Sequence, residues 1–492
     1  MTKRNYVAVD LGATSGRVVT GEFNGSKLSL SERHRFLNEP VKLNGTVYWD
    51  ILYIFKNVVQ GIKKAGEEGA VHSIGIDSWG SDFILLDKDG RMQENPMHYR
   101  DELTKGMLEK LYEIIPASDV YQKTGIQHMR LNGLYRLYAM RLNRFSAYEN
   151  AKDFLMIPDA LTYFLTGEKL SEHTNATTTQ MVSAVTGDWA YDMLTELGIN
   201  TKIFHKPVIA KDTRLKLLDD YGGGDSRLSV IGTHDTACAV AAVPSREEHF
   251  IYISSGTWSL VGTETDAPII NELSMRVNFT NEGGVMNKNR LLKNVMGMWI
   301  LEELRREWEA DAIPCSYPEI IAQAKGAEPY KRIIDPDKAE FMDMGGMSGK
   351  INANLRASGQ PEARSVGEFA RCLFDSLALC YRNVISQIRE LTGKEYQTIH
   401  IVGGGSKNSF LNQIIADVCG MQVAAGPVEA TAAGNIMTQA YVCGDISGLA
   451  ELRAVLAESF TVEVFEPRND PQVPEAYGKF QNIFRMNKET EK

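Results

Sequence analysis

At 492 residues the chain exceeds what one hydrophobic core supports, so two large domains are expected, and 43% hydrophobic with 24% charged residues excludes a disordered chain. A formal net charge of −10 without a Lys/Arg block excludes a nucleic-acid footprint, so no nucleic-acid partner is expected. No apolar run reaches the roughly 18 residues a bilayer span needs, and Asp10 breaks the only apolar stretch after Lys3 and Arg4; no membrane segment or signal peptide is read, and a cytoplasmic location is expected.

The first informative segment runs from Val7 to Val19. Val7 and Val9 end a buried strand, Gly12 and Gly16 permit a sharp bend, and the N–H groups and hydroxyls of Thr14 and Ser15 can face an anion. Asp10, at the strand end, is placed to hold a cation. A helix is predicted over Asp50 to Gly66, with Asp50 as its N-cap. Ser73 to Asp77 reads as a strand ending in a polar turn that carries Trp79 and Gly80. The indole suits packing better than a sugar platform, whereas the Gly80 backbone could approach a polyol. Arg100-Asp101 is either a substrate-binding pair or solvated surface.

Tyr221-Gly-Gly-Gly-Asp-Ser reads as a surface loop. Leu228 to Gly232 is then a strand, followed by His234-Asp-Thr and an alanine-rich helix to Val243. Asp235 has a bland reading as an N-cap and a sharper one as the carboxylate that accepts the proton of an attacking hydroxyl. Pro244-Ser-Arg-Glu-Glu-His marks a boundary, dividing the chain into domains 1–244 and 245–492.

Beyond the boundary the hairpin pattern recurs. Ile251-Tyr-Ile-Ser-Ser-Gly-Thr-Trp-Ser-Leu-Val repeats strand, glycine turn and strand, with Gly256 answering to Gly12, Ser259 to Ser15 and Ser254 to Asp10. One such turn is usually only a connection; two, near the starts of equal halves, suggest lobes closing on a nucleotide. Asp343-Met-Gly-Gly-Met-Ser-Gly-Lys-Ile fails as a P-loop because its spacing is wrong and Ile351 replaces the magnesium-binding hydroxyl. A helix is predicted over Val366 to Leu391, a strand over Thr398 to Val402 and a helix over Ser409 to Cys419. Gly403-Gly-Gly lies before that last helix, and Gly404 is the best candidate for contact with a ring or ribose. Six cysteines without a Cys-x-x-Cys pair, and no His-Glu-x-x-His, read as reduced thiols without zinc. Alternating strands and helices give an α/β chain.

Seven motifs, in order along the chain, resemble those of the FGGY family of carbohydrate kinases, in the sugar kinase, Hsp70 and actin superfamily. They are Asp10-Leu-Gly-Ala-Thr-Ser-Gly-Arg17, Ile76-Asp-Ser-Trp-Gly80, Thr174-Asn-Ala-Thr-Thr-Thr-Gln180, His234-Asp-Thr-Ala-Cys-Ala-Val240, Ser254-Ser-Gly-Thr-Trp-Ser-Leu260, Lys293-Asn-Val-Met-Gly297 and His400-Ile-Val-Gly-Gly-Gly405. The resemblance implies two ribonuclease H-like domains of actin and hexokinase type with an interdomain cleft. It implies ATP as co-substrate, Mg²⁺ as cofactor and a small ketose as acceptor, L-rhamnulose foremost and L-fuculose or L-xylulose as alternatives. Ala13, Thr14, Ser15, Gly16, Arg17, Thr257, Glu302 and Gly404 would contact ATP, although the family pattern tends to have glutamine where Glu302 stands. Gly80, His234, Asp235, Thr236 and Asn294 would hold the ketose, Asp235 as catalytic base, with Asp10 on the metal, directly or through water. The lysine-containing signature of many FGGY kinases is absent from Thr124 to Leu137, against glycerol or xylulose. A monomer or homodimer is expected. A non-catalytic ATP-dependent switch is the reading from another class, since the superfamily includes chaperones.

Overall fold

The computed structural model describes residues 3–210, 213–221 and 226–490. The glycine run expected as a surface loop at 222–225 lies outside them. The chain forms two compact units that interleave along the sequence: unit 1 takes Met1–Arg246, Glu264–Leu292 and Glu429–Phe460, and unit 2 takes Glu247–Thr263, Lys293–Val428 and Thr461–Lys492.

Unit 1 is built on β1 (Arg4–Leu11), β2 (Ser15–Phe23), β3 (Leu28–Leu37), β4 (Ser73–Ser78), β5 (Arg214–Lys216) and β6 (Arg227–Ser229), in the order β5-β6-β4-β1-β2-β3. β1 is antiparallel to β2 and parallel to β4, and β4 is parallel to β6. Tyr6 to Leu11 and all of β4 are buried, because helices cover the sheet; Tyr6 to Val9 and Ile74 to Ile76 are therefore apolar without alternation, and an aspartate follows each run. The helix Ile51–Glu67 starts at Asp50, whose side chain accepts the Tyr53 N–H at 3.0 Å. The helix Ala430–Val442 packs on the same sheet and on the helix Asp235–Ala241 so closely that a Cβ on Gly434 would lie 1.9 Å from the Cys238 carbonyl oxygen.

The strand expected over Leu228 to Gly232 ends at Ser229. Residues 230–233 form no strand, and the backbone N–H groups of this stretch are satisfied in other ways. The Val230 N–H goes to the Thr213 carbonyl at 2.9 Å, the Thr233 N–H to Glu172 Oε2 at 2.9 Å, and the His234 N–H to Thr174 Oγ1 at 3.1 Å. At Thr233 and His234 side-chain acceptors replace ladder partners.

Unit 2 carries β7 (Ile251–Ser255), β8 (Trp258–Thr265), β9 (Thr398–Val402), β10 (Gln422–Ala425) and β11 (Glu463–Phe465), ordered β8-β7-β9-β10-β11. β7 is antiparallel to β8 and parallel to β9, and β9 is parallel to β10. The hairpin and two parallel strands of unit 1 are thus repeated. The helices Val366–Thr392 and Ser409–Cys419 cover this sheet where the apolar periodicity places them.

Candidate active site

Three carboxylates meet at the carboxyl ends of the parallel strands of unit 1. Asp10 on β1 stands opposite Asp77 on β4 in register, and Ser78 bridges to His234, which brings Asp235 alongside. Asp10 is 6% exposed. Arg17, opposite it on β2, donates to Asp10 Oδ2 from Nε at 2.9 Å and from Nη2 at 2.7 Å, and its other arm pairs with Glu429. The turn between them is closed by the Gly12 N–H on the Ser15 carbonyl at 2.9 Å. Asn38 holds it from outside: its N–H reaches the Thr14 carbonyl at 3.0 Å and its Nδ2 the Gly12 carbonyl at 2.9 Å. Thr14 is exposed, Ala13 and Ser15 are half-buried, and Gly16 lies under the Phe36 ring.

Burial and the Asp10 charge push the Asp77 carboxyl well above the usual carboxylate range, and Oδ1 has no hydrogen-bond partner among the described residues. Asn435 donates to Asp77 Oδ2 at 2.6 Å. Burial, then the Asp10 charge, raise Asp235 to about 7. A carboxyl poised there changes protonation in the neutral range, as a general base requires.

The helix carrying Asp235 begins with it. His234, not Asp235, is the N-cap, and no side chain caps the helix. The carboxylate instead accepts from its neighbour: Asp235 Oδ1 takes the Thr236 N–H at 2.5 Å and the Thr236 hydroxyl at 3.1 Å, and lies 3.3 Å from His234 Nε2. Burial, then the Arg290 charge, hold the His234 imidazole well below its usual range, so it is neutral at physiological pH.

The turn bearing Gly80 is fixed by the threonine-rich segment. A Cβ on Gly80 would lie 2.9 Å from the Thr178 side chain, and Thr178 Oγ1 accepts the Ser81 N–H at 2.8 Å. Asn175 Nδ2 spans the carbonyls of Trp79 at 3.4 Å and Thr233 at 3.3 Å, tying the Gly80 turn to the His234 turn. Trp79 is buried and donates to Asp82 Oδ2 at 2.8 Å, a packing role. Asp101 is buried, accepting the N–H groups of Val47 and Leu103 at 2.8 Å, so its carboxylate is spent on backbone.

In unit 2 the second hairpin closes differently. Ser255 pairs with Ser259 across three residues, whereas Leu11 pairs with Gly16 across four. Ser259 therefore stands where Gly16 does, not where Ser15 does; it is fully buried and accepts the Tyr381 hydroxyl at 2.6 Å. Thr257, at the tip, is half-buried, and its carbonyl accepts the Trp299 N–H at 3.0 Å. In the triple-glycine turn a Cβ on Gly405 would lie 2.0 Å from Ser255 Oγ and Gly403 has φ 84°, so both have structural causes; nothing lies within 4 Å of a Cβ on Gly404. Glu302 is held by Arg305 Nη1 at 3.0 Å and by the Tyr317 hydroxyl. Asn294 is half-buried on the strand Asn289–Met296. The segment rejected as a P-loop has its backbone donors occupied: Glu303 Oε2 takes the Gly345 N–H at 2.8 Å, and Glu307 takes those of Met347 and Ser348.

Asp77, Glu172, Arg290, Glu429 and Asn435 were not singled out from the sequence. Only Asp77 had a local signal, a carboxylate directly after the apolar run Ile74 to Ile76. Among the described residues no group of three His, Cys, Asp or Glu side chains holds a metal by itself. Asp10 nevertheless fits Mg²⁺, since both Arg17 bonds fall on Oδ2 and a carboxylate oxygen is a hard donor that serves this ion together with phosphate oxygens.

Two sheets with the same strand pattern, one ending in a carboxylate cluster and each opened by a glycine hairpin, define a two-domain α/β fold of actin and hexokinase type. Residues 5–220 match the N-terminal domain of the FGGY family of carbohydrate kinases and residues 251–443 match its C-terminal domain. The chain is similar to a rhamnulokinase of Bacteroides thetaiotaomicron, 42% identical over 488 residues that cover 98% of this chain and 100% of that one. It is 40% identical over 463 residues to a rhamnulokinase of Oceanobacillus iheyensis, covering 93% and 97%. A solved xylulose kinase from Lactobacillus acidophilus has a TM-score of 0.78 at 17% identity, covering 99% of this chain and 97% of that one. Plasmodium falciparum glycerol kinase with ADP has a TM-score of 0.76 at 15% identity, covering 99% and 98%; both show the fold alone. The chain belongs to the FGGY family of carbohydrate kinases, and is an ATP-dependent sugar kinase. No helix among the described residues is long and apolar enough to cross a membrane.

Proposed function

We propose that the chain transfers the γ-phosphoryl group of ATP to the C1 hydroxyl of L-rhamnulose. The observation that carries the chemistry is Asp235, a carboxyl raised to about 7 at the end of the sheet with His234 beside it. The sugar is supported by relatives named rhamnulokinase along nearly the whole chain. Asp235 takes the hydroxyl proton as the bond from O1 to the γ-phosphorus forms and the bond to the bridging oxygen breaks, releasing ADP. Gly80, through its backbone, His234, Thr236 and Asn294 hold the ketose. Ala13 to Arg17 in unit 1 serve the phosphates, and Thr257, Glu302 and Gly404 in unit 2 serve the nucleotide, a division that follows domains 1–244 and 245–492. Asp10 would hold Mg²⁺, which would supply positive charge against the phosphates. The enzyme works in the cytoplasm as a monomer or homodimer.

The base assignment sets the pH dependence. A base must be deprotonated, and burial and the Asp10 charge favour the protonated form, so kcat/KM for the sugar should fall about tenfold per pH unit below roughly 7. A profile that stays flat across that range would remove Asp235 as the base.

The direct test is sugar-dependent ADP release with Mg²⁺-ATP across L-rhamnulose, L-fuculose, L-xylulose, D-xylulose and glycerol. Preference for L-rhamnulose is expected. Preference for another polyol keeps the kinase and discards the sugar, and stimulation by none favours a nucleotide-dependent switch.

A further inference from the structure

We propose that Arg290 is a positioning residue for the base: it fixes His234 in the tautomer protonated on Nε2, which saturates Asp235 Oδ1 and leaves Oδ2 to take the sugar proton. The proposal rests on the reading of Asp235 as the base.

Arg290 is completely buried, and its Nε donates to the Gly283 carbonyl at 2.9 Å. Its Nη2 reaches Glu282 Oε2 at 3.0 Å and His234 Nδ1 at 2.8 Å. A guanidinium has protons to give and no lone pair to accept with, so His234 Nδ1 must present its lone pair. Glu282 Oε2 also lies 3.5 Å from His234 Nδ1 and would accept a proton there, but the guanidinium contact at 2.8 Å is the shorter and disfavours both the doubly protonated ring and the Nδ1–H tautomer. A half-turn of the ring would set a C–H against the guanidinium and forfeit the bond. One proton remains, on Nε2, and that atom faces Asp235 Oδ1 at 3.3 Å.

The consequence falls on the carboxylate. Oδ1 already takes both donors of Thr236, so the His234 N–H is its third. Among the described residues no donor is assigned to Oδ2. An oxygen sharing three donors is the poorer proton acceptor, because each donated bond stabilises its charged form. Oδ2 is therefore the basic oxygen, and His234 is a donor throughout rather than a second base. The plainer role for Arg290, neutralising buried Glu282, requires nothing of the ring.

The test is a long-range proton–nitrogen correlation spectrum of the full chain labelled at the histidine ring nitrogens, with His234 assigned by the signals lost in His234→Gln. The unmodified protein should show a bare Nδ1 and a protonated Nε2. A protonated Nδ1 overturns the proposal, and this spectrum decides even where the Arg290 variants fail to fold. Arg290→Met should convert the ring to a tautomer mixture and lower kcat about 10- to 100-fold with little change in KM for ATP. Arg290→Lys, which keeps a cation for Glu282 and a donor for Nδ1, should recover part of both. An unchanged ring signature with unchanged kcat in Arg290→Met overturns it as well. Full turnover in Asp235→Asn would instead remove the base while leaving the tautomer in place, so the two failures are distinct.

Discussion

Asp235→Asn lowers the sugar-dependent turnover number by about 10²- to 10⁴-fold, the usual cost of removing a general base, or about 3–5 kcal/mol of barrier. Asparagine keeps the size of the side chain and one oxygen for the Thr236 N–H and hydroxyl, so the start of the helix Asp235–Ala241 should hold its geometry. What is lost is the capacity to take a proton. Nucleotide affinity should change little, because the ATP contacts proposed above lie elsewhere, at Ala13–Arg17, Thr257, Glu302 and Gly404. Steady-state rates with the sugar and calorimetric ATP titration separate the two effects. Comparable rates in variant and parent defeat the assignment, and lost ATP binding would mean that the substitution damaged the fold instead.

The elements legible in the sequence were those whose signal is local. The helix Ser409–Cys419 and the strand Thr398–Val402 lie where periodicity placed them, and the helix after Asp50 starts at the expected cap. Asp10 and Asp235 were legible because a carboxylate at the end of an apolar run is conspicuous within ten residues. Local pattern failed in two instructive ways. The second hairpin looks like the first in composition, yet its turn is one residue shorter, and a one-residue change moves a side chain to another face; Ser259 is buried for that reason. Val230 to Thr233 is apolar enough for a strand, but Glu172 supplies the acceptor that a neighbouring strand would have supplied.

The partners of the site were beyond any window. Glu429 meets Arg17, Asn435 meets Asp77 and Arg290 meets His234 through tertiary packing alone. All three come from the stretches Glu264–Leu292 and Glu429–Phe460, which return to unit 1 after the chain has left it. A linear boundary near residue 244 carries no trace of those returns. Buried polar groups are satisfied by whatever the fold brings near them, so their partners follow from topology and not from spacing.

Asp10→Ala should reduce turnover by about 10²- to 10³-fold, the order expected when a charged group that stabilises a transferring anion is removed. Two causes predict such a loss. Asp10 would hold Mg²⁺, and it also anchors Arg17 through two bonds to Oδ2. Asp10→Asn separates them, since the amide oxygen can still accept from Arg17 while the charge that attracts the cation is gone. If the metal role dominates, both variants lose activity alike, and raising Mg²⁺ recovers part of it in each. If the Arg17 role dominates, asparagine recovers most of the activity and the Mg²⁺ requirement stays at the parent value, which removes Asp10 from the metal. The pH profile gives an independent check. The Asp10 charge helps to raise Asp235, so losing it should move the acid limb to lower pH in both variants. A limb that stays in place would mean that burial alone sets the base, and that the two carboxylates act independently at the end of the sheet.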